Sequence, residues 1–152
     1  MVVNVFILLS ISLAVIYAAA CAYAYLYADN MIFPAPTSSY RDNSSMLKLE
    51  TSPNNTISTK HFPAEDGSPL VIYSHGNGED LGGVEELANQ FQARGISVLA
   101  YDYPGYGTSS GTPSEQGVYA AIESTYKYAT ETLAVEPARI VLYGRSLGSG
   151  PS

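Results

Sequence analysis

Ser146 stands between Gly144 and Gly148, directly after the apolar run Ile140-Val-Leu-Tyr143. A serine at the junction of a strand and a helix presents its hydroxyl only if the chain turns sharply there. Such a turn brings the residues two before and two after the serine together, so both must be very small. Gly144 and Gly148 meet that need; Ser149 does not, because Leu147 and Pro151 flank it at the same spacing. The chemistry implied is attack by the Ser146 hydroxyl on an acyl carbon, with an acyl-enzyme as the product of the first step. A helix opening at Ser146 points its first amides at the oxyanion, which assigns one donor to the amide of Leu147.

An oxyanion hole needs a second donor. His75-Gly76-Asn77-Gly78 follows another apolar run, Leu70–Tyr73, and its small residues let a backbone amide approach a substrate carbonyl. The second donor is assigned to the amide of Asn77, with His75 and Gly76 supporting the loop. His75 as general base is the less favoured alternative, because in this architecture the base arrives after the last strand. Asp102 ends a strand, but in the chain order serine, acid, histidine the acid follows the serine. Asp102 is therefore read as an acceptor that fixes its loop, and His61 as structural. The loop Gly105–Gly111 resembles a phosphate cradle, yet Ser110 stands where a third glycine belongs and no P-loop lysine follows. It is read as shaping the floor of a pocket.

These groups need elements to carry them. Val84, Leu87, Ala88 and Phe91 recur at helical spacing, and Gly95 sits where a C-terminal cap belongs. Ile96–Tyr101 is a second apolar strand. Ser114 is placed to cap a second helix, whose buried side is expected to carry Val118, Ile122, Thr125, Tyr126, Ala129 and Leu133. Pro137 ends it, and Ile140–Tyr143 is the third strand. Strands apolar on both faces imply a parallel sheet covered by helices on both sides. The loops at residues 75–78, 102–107 and 144–148 then share the carboxyl edge of that sheet, where such sheets bind ligands. Short strands are expected around Leu47–Thr51 and Ile57–Phe62.

Residues 2–27 carry no charge. That length suffices to cross a hydrocarbon layer of ~30 Å, which takes about 20 helical residues. Tyr17, Tyr23, Tyr25 and Tyr27 crowd its C-terminal end, as an interfacial aromatic belt does. The expected organisation is a signal anchor over 1–28, a linker and entry segment over 29–58, and half of an α/β domain over 59–152. A cleaved signal peptide stays open, since Ala18-Ala19-Ala20 offers small residues. A lipoprotein signal ahead of Cys21 fits less well, with Ala18 where Leu is usual. The expected location is the membrane, crossed once; flanking charge is too sparse to orient the helix.

Seven Lys and Arg against fourteen Asp and Glu give a net charge of −7. A chain this acidic lacks the basic footprint of a nucleic-acid binder, and any membrane contact must be hydrophobic. One cysteine excludes an internal disulfide, and His61 and His75 lack partners at ligand spacing. No metal or cofactor is expected.

Three segments together, Tyr73–Gly82, Ala100–Glu115 and Leu142–Ser152, resemble the α/β-hydrolase superfamily. The branch they look like is the membrane-anchored serine hydrolases that include the protein depalmitoylases and their bacterial and fungal relatives; Met31–Tyr40 is similar to that branch's entry segment. The resemblance implies the α/β-hydrolase fold, a mostly parallel sheet with helices on both faces, with Ser146 as nucleophile and Asn77 and Leu147 as oxyanion amides. The family's acid and histidine lie well beyond the nucleophile, so the chain is expected to be an N-terminal fragment lacking the C-terminal half, inactive by itself, with Ile140–Tyr143 as an exposed apolar edge. The expected function is a serine hydrolase acting on an ester, thioester or amide of an acylated small molecule, lipid or protein. The alternative is a catalytically inactive, membrane-tethered binding module.

Overall fold

The computed structural model describes residues 2–52 and 55–152. The chain divides into two compact units, one ending at Ile32 and one spanning Phe33–Ser152. The first is a single helix, α1 (Val2–Ile32), rich in Ala, Leu and Ile and free of Gly and Pro, which favours an unbroken helix. Its stretch Asn4–Ile32 is long and apolar enough to cross a membrane.

The second unit is built on five strands: β1 (Met46–Ser52), β2 (Asn55–Phe62), β3 (Leu70–Ser74), β4 (Ser97–Tyr101) and β5 (Ile140–Gly144). Their order across the sheet is β1-β2-β4-β3-β5. The sheet is mixed rather than mostly parallel over this stretch. β3 runs parallel to both β4 and β5, whereas β1 with β2, and β2 with β4, pair antiparallel. The parallel pairings are those joined through helices α2 (Glu85–Gln92) and α3 (Glu115–Lys127), as parallel neighbours require a crossover.

Alternation along the strands separates two cores. Leu70 and Ile72 of β3, with Leu99 and Tyr101 of β4, face a cluster completed by Val118, Ala121, Ile122 and Ala129 from the α3 side. Val71, Tyr73, Val98 and Ala100 point the other way, into a cluster with Leu81, Val84 and Ala88 around α2. All five residues of β3 and of β4 are buried. Each fully buried aliphatic side chain here stabilises the fold by about 1.5–3 kcal/mol relative to exposure. β5 lies at the sheet's edge, and its Val141, Leu142 and Tyr143 are 52%, 42% and 44% exposed.

The caps expected of the helices are present. The Ser114 side chain accepts the Gly117 N–H at 3.1 Å, and Gly95 follows α2 with φ +72°. Tyr126 departs from expectation: it is 38% exposed. The buried face of α3 runs through Val118, Ala121, Ile122 and Thr125, and Tyr126 lies a further ~100° around the helix. The helix then widens into one π turn, Tyr128–Thr132, and Pro137 opens a short 3₁₀ turn that feeds β5.

Candidate active site

β5 delivers the chain to the elbow. Arg145 is extended, and Ser146 then takes φ +51°, a left-handed backbone that non-glycine residues rarely adopt. Among the described residues only Ala134 and Ser146 combine a side chain with positive φ. Such a backbone costs on the order of 1–3 kcal/mol and persists only where its surroundings enforce it. Gly144 and Gly148 enforce it here. A Cβ on Gly144 would lie 2.2 Å from the Gly148 carbonyl oxygen, and one on Gly148 would lie 2.1 Å from the Ser74 oxygen. Only two hydrogen-only residues allow the chain to fold back this closely. The Arg145 N–H donates to Ser74 O at 3.0 Å, which pins the elbow to the end of β3. Ser146 is exposed, Gly148 is buried, and Leu147 packs against the α3-side core. The helix expected from Ser146 is a single 3₁₀ turn, Ser146–Ser149.

The loop after β3 is held residue by residue. Tyr101 and Ser74 share a hydrogen bond between their hydroxyls at 2.7 Å. The Tyr103 hydroxyl donates to His75 O at 2.6 Å, and the Tyr106 hydroxyl donates to Asn77 Oδ1 at 2.9 Å. Burial pushes the Tyr106 hydroxyl up to about 12 and raises those of Tyr101 and Tyr103 as well. All three therefore stay neutral at physiological pH. Asn77 itself is exposed, and Gly78 beyond it turns at φ +73°.

His75 is fully buried. Its Nδ1 lies 2.9 Å from Gly76 O, and its ring packs 4.2 Å, centroid to centroid, from Tyr103. Nε2 lies 3.4 Å from Asp102 Oδ1 but outside hydrogen-bond geometry. Asp102 is also fully buried, accepting the Leu81 N–H on Oδ1 at 2.8 Å and the Tyr40 hydroxyl on Oδ2. Gly107 leaves the space that Oδ2 occupies, since a Cβ there would lie 1.8 Å from it. Asp102 thus ties the entry segment to the loop at 81, with the 107 loop packed closely against it. Burial, reinforced by the Asp102 charge, pushes the Tyr40 hydroxyl up to about 12. One strand earlier in the sheet, His61 sits on β2 opposite Leu99, and burial lowers its pKa.

The tyrosine tethers, Tyr40, and the carboxylate of Glu79 escaped the sequence reading. Tyr103 and Tyr106 lie within the loop singled out there, but the bonds they make span 28 and 29 residues. No local periodicity signals such a contact. A cavity of ≈ 570 Å³ is lined by Pro36, Thr37, Tyr73, Val84, Tyr143 and Arg145 with their neighbours. It borders the site through Glu79 and Arg145, and neither Ser146, Asn77 nor Leu147 lines it. Among the described residues no group of three or more His, Cys, Asp or Glu is arranged to hold a metal.

This arrangement of strand, elbow and tethered loop coincides with the stretch matched by a family model, serine aminopeptidase S33, over residues 66–151, more than half of the chain. The chain belongs to this family. Its relatives include alpha/beta hydrolase domain-containing protein 17C of Xenopus tropicalis, 41% identical over 83 residues that cover 54% of this chain and 27% of that protein. The human protein 17B is 36% identical over 83 residues, covering 54% of this chain and 29% of its own. The matched stretch thus spans less than a third of the length of these relatives. Among solved structures, the α/β hydrolase GrgF from Penicillium sp. sh18 superposes with a TM-score of 0.61 at 27% identity, covering 70% of this chain and 39% of that one. The Pyrococcus furiosus esterase Pf2001 superposes at 0.63 with 19% identity, over 76% and 47% of the two chains, and shows the shared fold alone. The S33 chain described here is therefore an α/β-hydrolase in fold, with its elbow on the strand next to β3.

Proposed function

We propose that the full-length protein is a serine hydrolase that forms an acyl-enzyme on Ser146. The observation that carries this reading is the Ser146 backbone at φ +51°, enforced by two glycines that admit no side chain. An exposed hydroxyl on a strained, braced corner is a costly arrangement that a plain strand-to-helix turn does not need. The amides of Leu147 and Asn77 hold the oxyanion, and Gly144 and Gly148 shape the corner. His75, Gly76 and Asp102 support the oxyanion loop. Both described histidines are committed elsewhere, His75 within its buried cluster and His61 inside the sheet. The proton of Ser146 therefore goes to a histidine supplied by the protein beyond residue 152, oriented by an acid from the same region.

Residues 1–28 anchor the protein in a membrane, residues 29–58 connect and enter, and residues 59–152 begin the hydrolase domain. The helix Asn4–Ile32 has the length and apolarity for the anchor. An anchor concentrates the enzyme where acylated lipids and acylated proteins are found, which makes their esters and thioesters the substrates of first choice. The test is turnover of a soluble acyl ester and an acyl thioester by the full-length protein in detergent. Release of the acid from either is expected. Saturable binding of the ligand with no acid released supports a tethered binding module and overturns the proposal.

A further inference from the structure

Glu79 touches both halves of the site. Its Oε2 accepts the Gly76 N–H at 3.0 Å, and its Oε1 pairs with Arg145 Nη1 at 2.7 Å. Gly76 directly precedes the oxyanion donor Asn77, and Arg145 directly precedes Ser146. One carboxylate therefore grips the chain one residue away from each reacting group. The grip also occupies the Gly76 amide. Gly76 is close enough that a Cβ there would meet the carboxylate at 3.2 Å.

A carboxylate in this place carries a liability. Negative charge develops on the substrate oxygen in the transition state, and a nearby anion opposes it. Arg145 offsets that charge at contact distance. As a contribution to stability the pair counts for little, because Arg145 is 64% exposed and exposed ion pairs are worth about 0–1 kcal/mol. A structural brace would not need the exposed charge.

We infer that Glu79 is a positioning residue that holds the oxyanion loop through the Gly76 amide, and that Arg145 masks its charge from the developing oxyanion. This rests on the serine-hydrolase reading. The two roles separate by substitution. Glu79→Gln keeps an acceptor for Gly76 without the charge. Arg145→Met leaves the charge unmasked. The double variant removes charge and mask together.

The experiment measures kcat, KM and melting temperature of the full-length protein on one acyl ester. Arg145→Met is expected to lower kcat by about tenfold to a hundredfold with KM little changed, as loss of transition-state stabilisation does. Adding Glu79→Gln to it is expected to restore kcat to within about threefold of the parent, with all melting temperatures close together. An unchanged kcat in Arg145→Met, or a double variant no faster than Arg145→Met, overturns the inference. A parent protein with no turnover at all overturns the hydrolase reading first, and this inference with it.

Discussion

Ser146→Ala in the full-length protein is expected to lower kcat by about 10⁴–10⁶-fold while the protein stays folded. The magnitude follows from what is lost. Under the proposed mechanism no acyl-enzyme forms without the hydroxyl and the base has no proton to take, so only the two amides and substrate binding would still act on the ester. The fold is spared because Ser146 is exposed and alanine removes one oxygen. Alanine tolerates φ +51° no worse than serine does, since both carry a Cβ. A melting temperature within a few degrees of the parent, together with the rate loss, is the expected pair of readings from thermal melting and initial-rate kinetics.

Gly148→Ala is expected to damage both fold and rate. The new methyl group would lie 2.1 Å from Ser74 O and 2.8 Å from His75 O, and both contacts are backbone. Backbone cannot rotate aside as a side chain does. The elbow must lift away from the end of β3, breaking the bond from Arg145 N–H to Ser74 O. Overpacking of this kind costs about 3 kcal/mol. A displacement near 1 Å between nucleophile and oxyanion donors costs on the order of 10²-fold in rate. Gly83→Ala is the matched control, because a Cβ there meets nothing within 4 Å and its φ is not positive. Chemical denaturation and kcat are expected to show Gly83→Ala close to the parent and Gly148→Ala reduced in both. Equal behaviour of the two variants would remove the steric basis of the elbow.

Both effects trace back to features legible in the sequence. Leu70–Tyr73 and Ile96–Tyr101 read as buried strands because Ser97 is their one polar residue, and all of β3 and β4 is indeed buried. The capping role of Ser114 followed from its side-chain chemistry alone. The closeness of Gly144 to Gly148 was implied by spacing. What escaped is of another kind. Helical spacing puts Tyr126 one turn beyond Ile122 on the expected buried face, yet it falls at the margin of that face and is exposed. Tyr101, Tyr103 and Tyr106 read as core or loop residues. Their hydroxyls reach Ser74, His75 and Asn77 only once β4 is laid beside β3 in register. Tyr40 binds Asp102 across 62 residues. Glu79 and Arg145 are 66 positions apart (145 − 79) and carry opposite charges, as many unrelated surface pairs do. Local chemistry leaves a mark on local sequence, but pairing made by topology does not.

The central claim is that the Ser146 hydroxyl is the attacking group. It is tested most directly by treating the full-length protein with a fluorophosphonate, digesting it and locating the adduct by mass spectrometry. A single phosphonylated residue at Ser146, absent from Ser146→Ala, is the predicted result. An adduct on Ser149 or another serine, or labelling that persists in Ser146→Ala, would contradict the account.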